Sequence, residues 1–393
     1  MLMETPAIPG KPPFAQDRLD ELMAEAGIDV ILATSRHNTR YLLGGYSFFF
    51  FSGFDSIGIS RYLPIVVYFR GRPDQAIYVG NAMEGFEKEL GKFWTPEVHA
   101  RTWSSLEAIE AAIGYIRARA PKGAAIGIEP AFIPADATDA LKSQLLGYSL
   151  VDGQRVLELL RAIKSEEELA LVKTASESVV SSMLAVMRTH GPGNTKNDLV
   201  RSLIAEETKR GLAFEYCLTS AGTSLNRSPS DYVLKEGDIY SLDSGGNYGG
   251  YIGDLCRMAV LGDPDEELQN LLGEVLDIQA AARGAVADGA PGREIYVAAE
   301  ARIARSPHRD EVDFIAHGMG LVSHEAPRLA SNFSYPPDDA GRSLRAGMVI
   351  SIETAIKHPR RGFIKVEDTV AITHAGQVEG FGDSGREWTR GPV

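Results

Sequence analysis

Tyr240-Ser241-Leu242-Asp243-Ser244-Gly245 runs on through Gly249-Gly250-Tyr251-Ile252-Gly253-Asp254-Leu255-Cys256-Arg257. Two apolar runs flank a stretch rich in Gly and Asn, the composition of a β-hairpin turn. Asp243 closes the first predicted strand and Asp254 sits inside the second. Strand side chains alternate between faces. Asp243 therefore shares a side with Ser241 and Ile239, and Asp254 shares one with Ile252, Cys256 and Met258. A carboxylate inside such a sheet must be solvated, paired or bound to metal. Two facing carboxylates repel unless a divalent cation joins them. On this stretch alone both readings stand, a metal pair or solvated edge acids.

The surrounding composition narrows the class. The chain has 393 residues, 44% hydrophobic and 24% charged, enough for two or three cores. A net charge of −13 argues against nucleic acid or an anionic membrane as the main partner. Cys217 and Cys256 are too few for a disulfide framework. The N-terminal residues carry Pro and acid rather than a basic flank and an apolar run, so we expect a cytoplasmic protein without a signal peptide.

Read in order, the first part alternates helix and strand. Helices are predicted at 14–26, 105–118 and 141–146, and strands at 28–33, 63–69, 75–79 and 124–128. This gives an α/β domain over residues 1–156. The run Phe48 to Phe51 reads as core or subunit contact, or as a pocket wall. From residue 157 the pattern changes. Ser165 followed by acids predicts a helix start, and that helix stops at His190-Gly191-Pro192-Gly193. A second helix at 195–210 and the hairpin follow. The order then repeats: a helix from Pro264, the break Gly289-Ala290-Pro291-Gly292, a helix at 293–304, and strands at 348–356 and 362–373. Residues 157–393 therefore form a second domain of two related halves that clasp a site.

The second half adds donors. Two histidines, His317 and His324, lie in the glycine-punctuated segment Phe314 to Pro327, predicted as a loop. Glu353 and Glu367 sit in apolar strands, an environment that suits acids turned outward or acids holding a cation. Several oxygen donors with one imidazole suit two divalent ions sharing bridging carboxylates.

The ordered set Asp243, Asp254, His317, Glu353, Glu367 resembles the five-ligand signature of the pita-bread metallopeptidases, the family of methionine aminopeptidase, aminopeptidase P, prolidase and creatinase. The His-Gly-x-Gly-x-x-x-His-Glu-x-Pro segment and Val366-Glu367-Asp368 carry the same likeness. Arg40-Tyr41-Leu42 and the Arg161 to Glu167 helix start are similar to the two-domain prolidase and creatinase branch. The resemblance implies an α+β chain, with an N-terminal creatinase-like α/β domain before a C-terminal pita-bread domain. It implies two divalent ions, with manganese favoured over cobalt, zinc or iron. Asp243 would chelate one ion and His317 the other, with Asp254 and Glu367 bridging. Glu353 would bind metal and act as base toward the attacking water, and His324 would steady the substrate. It also implies a homodimer.

Departures from the family pattern concentrate around these residues. The peptidases usually carry another histidine before the hairpin, where this chain has Ala221 to Asp231, with Asn226 or Arg227 nearest. Cys256 replaces a common threonine, and Lys365 stands where arginine is frequent. The expected function is a dinuclear metal-dependent hydrolase of the Xaa-Pro dipeptidase or aminopeptidase type. It would cleave a C–N bond in a dipeptide or another small carboxylate-bearing substrate. Asn226, Arg328, Lys365, Arg61 and His324 are the expected substrate contacts. The alternative is a non-peptidase on the same scaffold, either a creatinase-like amidinohydrolase or a metal-dependent lyase of a small zwitterion such as dimethylsulfoniopropionate. A non-catalytic binding module fits less well, because the ligand set is intact.

Overall fold

The computed structural model describes residues 7–53, 56–329 and 338–393. The chain forms two compact units, Met1–Arg161 and Ala162–Val393, a split five residues beyond the sequence boundary at 156. The helix that ends the first unit, Gln154–Ala162, spans the expected boundary.

In the first unit α1 (Gln16–Glu25) leads into β1 (Val30–Ala33), α2 (Arg36–Leu42) and α3 (Phe50–Gly53). Then come β2 (Ile65–Phe69), β3 (Ile77–Asn81), α4 (Gly85–Glu89), β4 (Glu97–Thr102) and α5 (Ser105–Arg119). The unit ends with β5 (Ala125–Ile128), α6 (Ala135–Gln144), β6 (Ser149–Asp152) and α7 (Gln154–Ala162). The strands form one mixed sheet in the order β4-β3-β2-β1-β5-β6. All four residues of β1 are buried because the sheet is covered on both faces. Ile31 and Ala33 join the core shared with α1 and α7, whereas Val30 and Leu32 join the core under α5 and α6. The Phe48 to Phe51 run divides. Phe48 is core, Phe50 and Phe51 pack against it, and Phe49 stays exposed. Arg161 is buried and donates to Asn38, whose amide in turn donates to Glu129. Arg61 is exposed, just before β2.

The second unit opens with α8 (Glu166–Met187), α9 (Lys196–Lys209), β7 (Ala213–Leu218), β8 (Ile239–Tyr248) and β9 (Tyr251–Leu261). It continues with α10 (Glu266–Gly284), α11 (Glu294–Ile303), β10 (Val312–Gly318), β11 (Val349–His358), β12 (Gly362–Ile372), β13 (Val378–Phe381) and β14 (Thr389–Gly391). Ser165 caps α8 in a capping box with Glu168, as the sequence predicts. By length and composition α8 could cross a membrane. Here its apolar residues Val179, Val180, Met183 and Met187 pack with Leu242 and Leu255 of the hairpin, so the apolar composition serves a core.

The main sheet has the order β10-β11-β12-β9-β8-β7. The two helix–helix–strand halves therefore meet in the middle, where β9 and β12 pair through Cys256 and Glu367. The hairpin turn is shorter than the sequence suggests. β8 continues to Tyr248, and only Gly249 and Gly250 turn, with φ of 66° and 99°. Side chains are disfavoured at such angles, which suits a two-glycine hairpin turn. Gly253 is a strand glycine for another reason. A Cβ there would lie 2.6 Å from the α8 backbone at Ala175 and Ser176.

Candidate metal centre

Register explains how the acids gather. Residues paired across strands share a face. Asp243 pairs with Cys256, Cys256 with Glu367, and Glu367 with Glu353, making one row across four strands. Asp254 lies two residues from Cys256 on the same face, and His317 pairs with Ser351, two residues from Glu353. Asp243 thus faces Cys256 rather than Asp254, a correction to the picture of two aspartates opposed across the hairpin. His317 is also no loop residue. The alternating run Val312 to His317 lets β10 pair with β11 along its whole length.

Three donor groups lie on this face, each with its ligand atoms within 4.8 Å of one another: Asp243, Asp254 and Glu367; His317, Glu353 and Glu367; and Asp254, His317 and His324. His317 Nε2 is 3.0 Å from Glu353 Oε1, while its Nδ1 lies 3.1 Å from the Gly318 carbonyl. A carbonyl only accepts, so Nδ1 carries the hydrogen and Nε2 is aimed into the cluster. The ring of His324 stacks 3.9 Å from that of His317. Asp254 Oδ2 accepts from Ser323, which lies 3.1 Å from the Tyr216 hydroxyl. Asp254 Oδ1 is buried with no hydrogen-bond partner among the described residues. Ser351 donates to Glu367 Oε1 at 2.9 Å.

The electrostatics follow from burial and crowding. Burial, then the charges of Asp243 and Glu353, raise the Asp254 carboxyl to about 6. Glu367 is pushed well above the carboxylate range by burial, Asp254 and Glu353. Burial also works to raise Glu353, but Lys365 and His317 outweigh it and hold the carboxyl low. Burial works to lower His317, yet Glu353 and Asp254 leave it raised. His324 is driven down to about 3, by burial first and the neighbouring His317 second, so its imidazole is neutral. Cys256, between Asp243 and Glu367, is kept a thiol by burial and by Asp243.

The expected substrate contacts separate. Lys365 is buried, with Nζ 2.6 Å from Asp243 Oδ2, 2.6 Å from Glu353 Oε2 and 2.8 Å from Glu367 Oε2. Asn226 serves its own turn, accepting from the Ser228 backbone at 2.9 Å. Its neighbour Arg227 is the residue that reaches Asp243, with its guanidinium over the Phe363 ring. Arg328 lies 4.0 Å from Asp338, and its backbone N–H donates to Asp339 at 2.7 Å. Tyr216, Ser323 and Ser351 are the site residues the sequence reading omits, and Arg227 it offers only as an alternative to Asn226. Only the strand register and the folded loop bring them in.

Two structural supports carry predictions. Lys164 and Glu325 form an ion pair of 2.9 Å, both almost fully buried, that ties the start of α8 to the His324 loop. Removing one member of such a pair costs roughly 3–5 kcal/mol. Lys164→Met should lower unfolding free energy by about that amount in urea titrations.

Glu207 lies behind Asp243, 2.9 Å from Ser244 Oγ, which is also 2.8 Å from the Tyr216 carbonyl. The serine has one hydrogen, and the carbonyl can only accept it. Its hydroxyl therefore divides one donor between the Tyr216 carbonyl and Glu207. Burial raises Glu207 to about 7, although the bond it accepts from Ser244 works the other way. An acid raised on folding destabilises once the unfolded chain ionises. The stability lost grows from about pH 4.5 to about pH 7 and is constant above. Glu207→Gln keeps an acceptor for Ser244 without that loss. It should gain up to roughly 3 kcal/mol at pH 8 and nothing at pH 4, read as unfolding free energy at each pH.

Comparison with known proteins agrees with this geometry. Residues 170–374, just over half the chain, match the model of metallopeptidase family M24, and residues 16–163 match the creatinase/prolidase N-terminal domain. An uncharacterized peptidase of Bacillus subtilis, YqhT, is 25% identical over 371 residues, covering 92% of this chain and 95% of that protein. A Xaa-Pro dipeptidase of Pyrococcus furiosus is 29% identical over 241 residues, covering 60% of this chain and 67% of that protein. The solved Xaa-Pro dipeptidase from Bacillus anthracis shares the fold at a TM-score of 0.77 and 23% identity, covering 95% of this chain and 98% of that one. With an M24 match that takes in the whole sheet face from Asp243 to Glu367, the chain belongs to metallopeptidase family M24, a family of metal-dependent hydrolases.

Proposed function

We propose that this protein is a metal-dependent dipeptidase of the Xaa-Pro type, with Asp243, Asp254, His317, Glu353 and Glu367 as ligands to two divalent ions. One observation carries the reading. Four carboxylates and an imidazole converge on one buried sheet face, and among the described residues Asp254 Oδ1 is left there without a hydrogen-bond partner. That orphaned acceptor and the oxygen-rich donor set fit hard divalent ions, manganese foremost. Bound divalent ions supply Lewis acidity and a nucleophile at neutral pH.

The chain's own residues supply the rest. Glu353 is 15% exposed, whereas Asp243 and Glu367 are buried. Lys365 and His317 keep it ionised, the form that can accept a proton from the attacking water. His324, neutral and beside His317, orients the scissile group. Arg328, four residues past His324, supplies countercharge for the substrate carboxylate.

Manganese-reconstituted protein assayed on Xaa-Pro dipeptides tests the activity, and no turnover with metal bound would overturn the peptidase reading. The carboxylate has its own test. Converting the dipeptide to its C-terminal amide should lower kcat/KM by roughly tenfold to a hundredfold, the worth of a charge-assisted bond. Arg328→Ala should erase the difference between acid and amide. One observation favours a second reading, a non-peptidase reaction on this scaffold: Arg227 pairs with Asp243 in the segment where peptidases carry histidine. A panel of small amides and zwitterions separates the two.

A further inference from the structure

Arg227 stands between the centre and solvent. Its guanidinium donates to Asp243 Oδ2 and lies over the Phe363 ring, 4.9 Å from the ring centre. The side chain is 30% exposed, whereas that of Asp243 is 3% exposed. The segment that carries it is fixed. The Thr219 backbone N–H donates to the Arg227 carbonyl at 2.8 Å, and the buried Lys196 donates Nζ to the Asn226 carbonyl at 2.9 Å. Ser224 Oγ accepts from the Asn226 backbone at 3.1 Å, closing the turn ahead of it. A side chain mounted this firmly has little freedom left to lose when a ligand docks.

Among the described residues Asp243 is the one acceptor that Arg227 reaches, and its Nε is buried without any. A guanidinium carries five N–H donors, so most of the fork is unused. Formal charge permits an anion beside it. Asp243, Asp254, Glu353 and Glu367 bring four negative charges, and Lys365 and Arg227 bring two positive ones. One divalent ion brings this set to zero and two bring it to +2, so an occupied centre has no excess negative charge to repel an anion. Arg328 follows His324, at the His317 end, and serves the terminal carboxylate in the reading above. Arg227 is a second fixed cation, at the Asp243 end.

We infer that Arg227 is a specificity-determining residue that selects a second anionic group on the substrate: an acidic side chain, Glu or Asp, on the residue ahead of proline. This rests on the dipeptidase reading above and names the class of dipeptide it takes.

The test compares Glu-Pro with Gln-Pro, which differ by one charge at nearly equal shape, on the manganese-reconstituted full chain. Glu-Pro should have the higher kcat/KM by roughly tenfold to a hundredfold, the size of one charge-assisted bond, carried mainly by KM. Arg227→Gln should abolish the preference. Arg227→Lys should keep part of it, because an ammonium keeps the charge and loses the fork. Binding adds a readout that needs no turnover. In calorimetric titrations L-glutamate should bind the manganese-loaded protein more tightly than L-glutamine, and Arg227→Gln should remove the difference. The wild-type and Arg227→Lys measurements stand even if Arg227→Gln fails to fold. Equal kcat/KM for the two dipeptides in the wild type, or a preference that survives Arg227→Gln, would overturn the inference and leave the peptidase reading intact. Failure to cleave any Xaa-Pro dipeptide would overturn the peptidase reading itself. The two titrations would then decide the charge selection, and equal affinities would overturn it.

Discussion

Glu353→Gln lowers kcat on the best dipeptide substrate by roughly a hundredfold to ten-thousandfold, the usual contribution of a positioned general base. Glutamine keeps the shape and one carbonyl oxygen as a ligand but cannot accept a proton. Glu353 is suited to the role by its surroundings. It lies 2.6 Å from the Lys365 ammonium and 3.0 Å from the His317 ring, and both favour its ionised form against the cost of burial. Asp254 and Glu367 are pushed the opposite way, because burial and neighbouring acids dominate there. Environments that split the pKa values of adjacent carboxylates also divide their roles. The measurement is kcat at saturating manganese, with metal content determined on the same sample. A drop in kcat with metal retained assigns the proton transfer to Glu353. Unchanged kcat would move the base elsewhere in the cluster.

Much of this centre is legible in the sequence because its chemistry is conspicuous there. Glu353 and Glu367 interrupt runs such as Met348 to Ile356 that are otherwise fit for a buried strand, and a buried acid demands a partner. What strand pairing decides is less visible. Gly245 and Gly246 look like turn residues, yet they are strand. A Cβ at Gly245 would strike the Tyr216 ring at 2.4 Å, so the glycine makes room for the tyrosine that supports Ser323. Composition cannot distinguish those two uses of glycine.

The choice between Asn226 and Arg227 depends on which side chain clears its own turn, and that requires the fold. The strands β4 and β6 are missed for a related reason. Both lie at sheet edges, and Glu97 to Thr102 mixes charge with apolar residues, so neither shows a buried run. Helix α6 begins right after Pro134, earlier than its apolar residues suggest, because proline suits the approach to a helix N-terminus.

Asp254→Asn should be among the most damaging single changes at the centre, lowering metal affinity by more than about a hundredfold and activity with it. Asp254 belongs to two of the three donor groups, one at the Asp243 end and one at the His317 end, so its loss reaches both. The ligands' outer partners alone are typically worth tenfold to a hundredfold in metal affinity, and a ligand shared by two ions exceeds that. Asparagine removes one negative charge from a cluster whose remaining acids are already paired with Lys365 and Arg227. It also replaces a carboxylate oxygen with a hydrogen-bond donor at a buried position. If the amide nitrogen faced Ser323, the serine would have to turn its own donor away, toward Tyr216. The folded chain should survive, because Asp254 forms no ion pair among the described residues and its burial raises its pKa rather than stabilising its charge. The expected result is a protein with wild-type circular dichroism and thermal midpoint that retains no manganese after desalting. An asparagine variant that keeps its metal and its turnover would remove Asp254 from the ligand set.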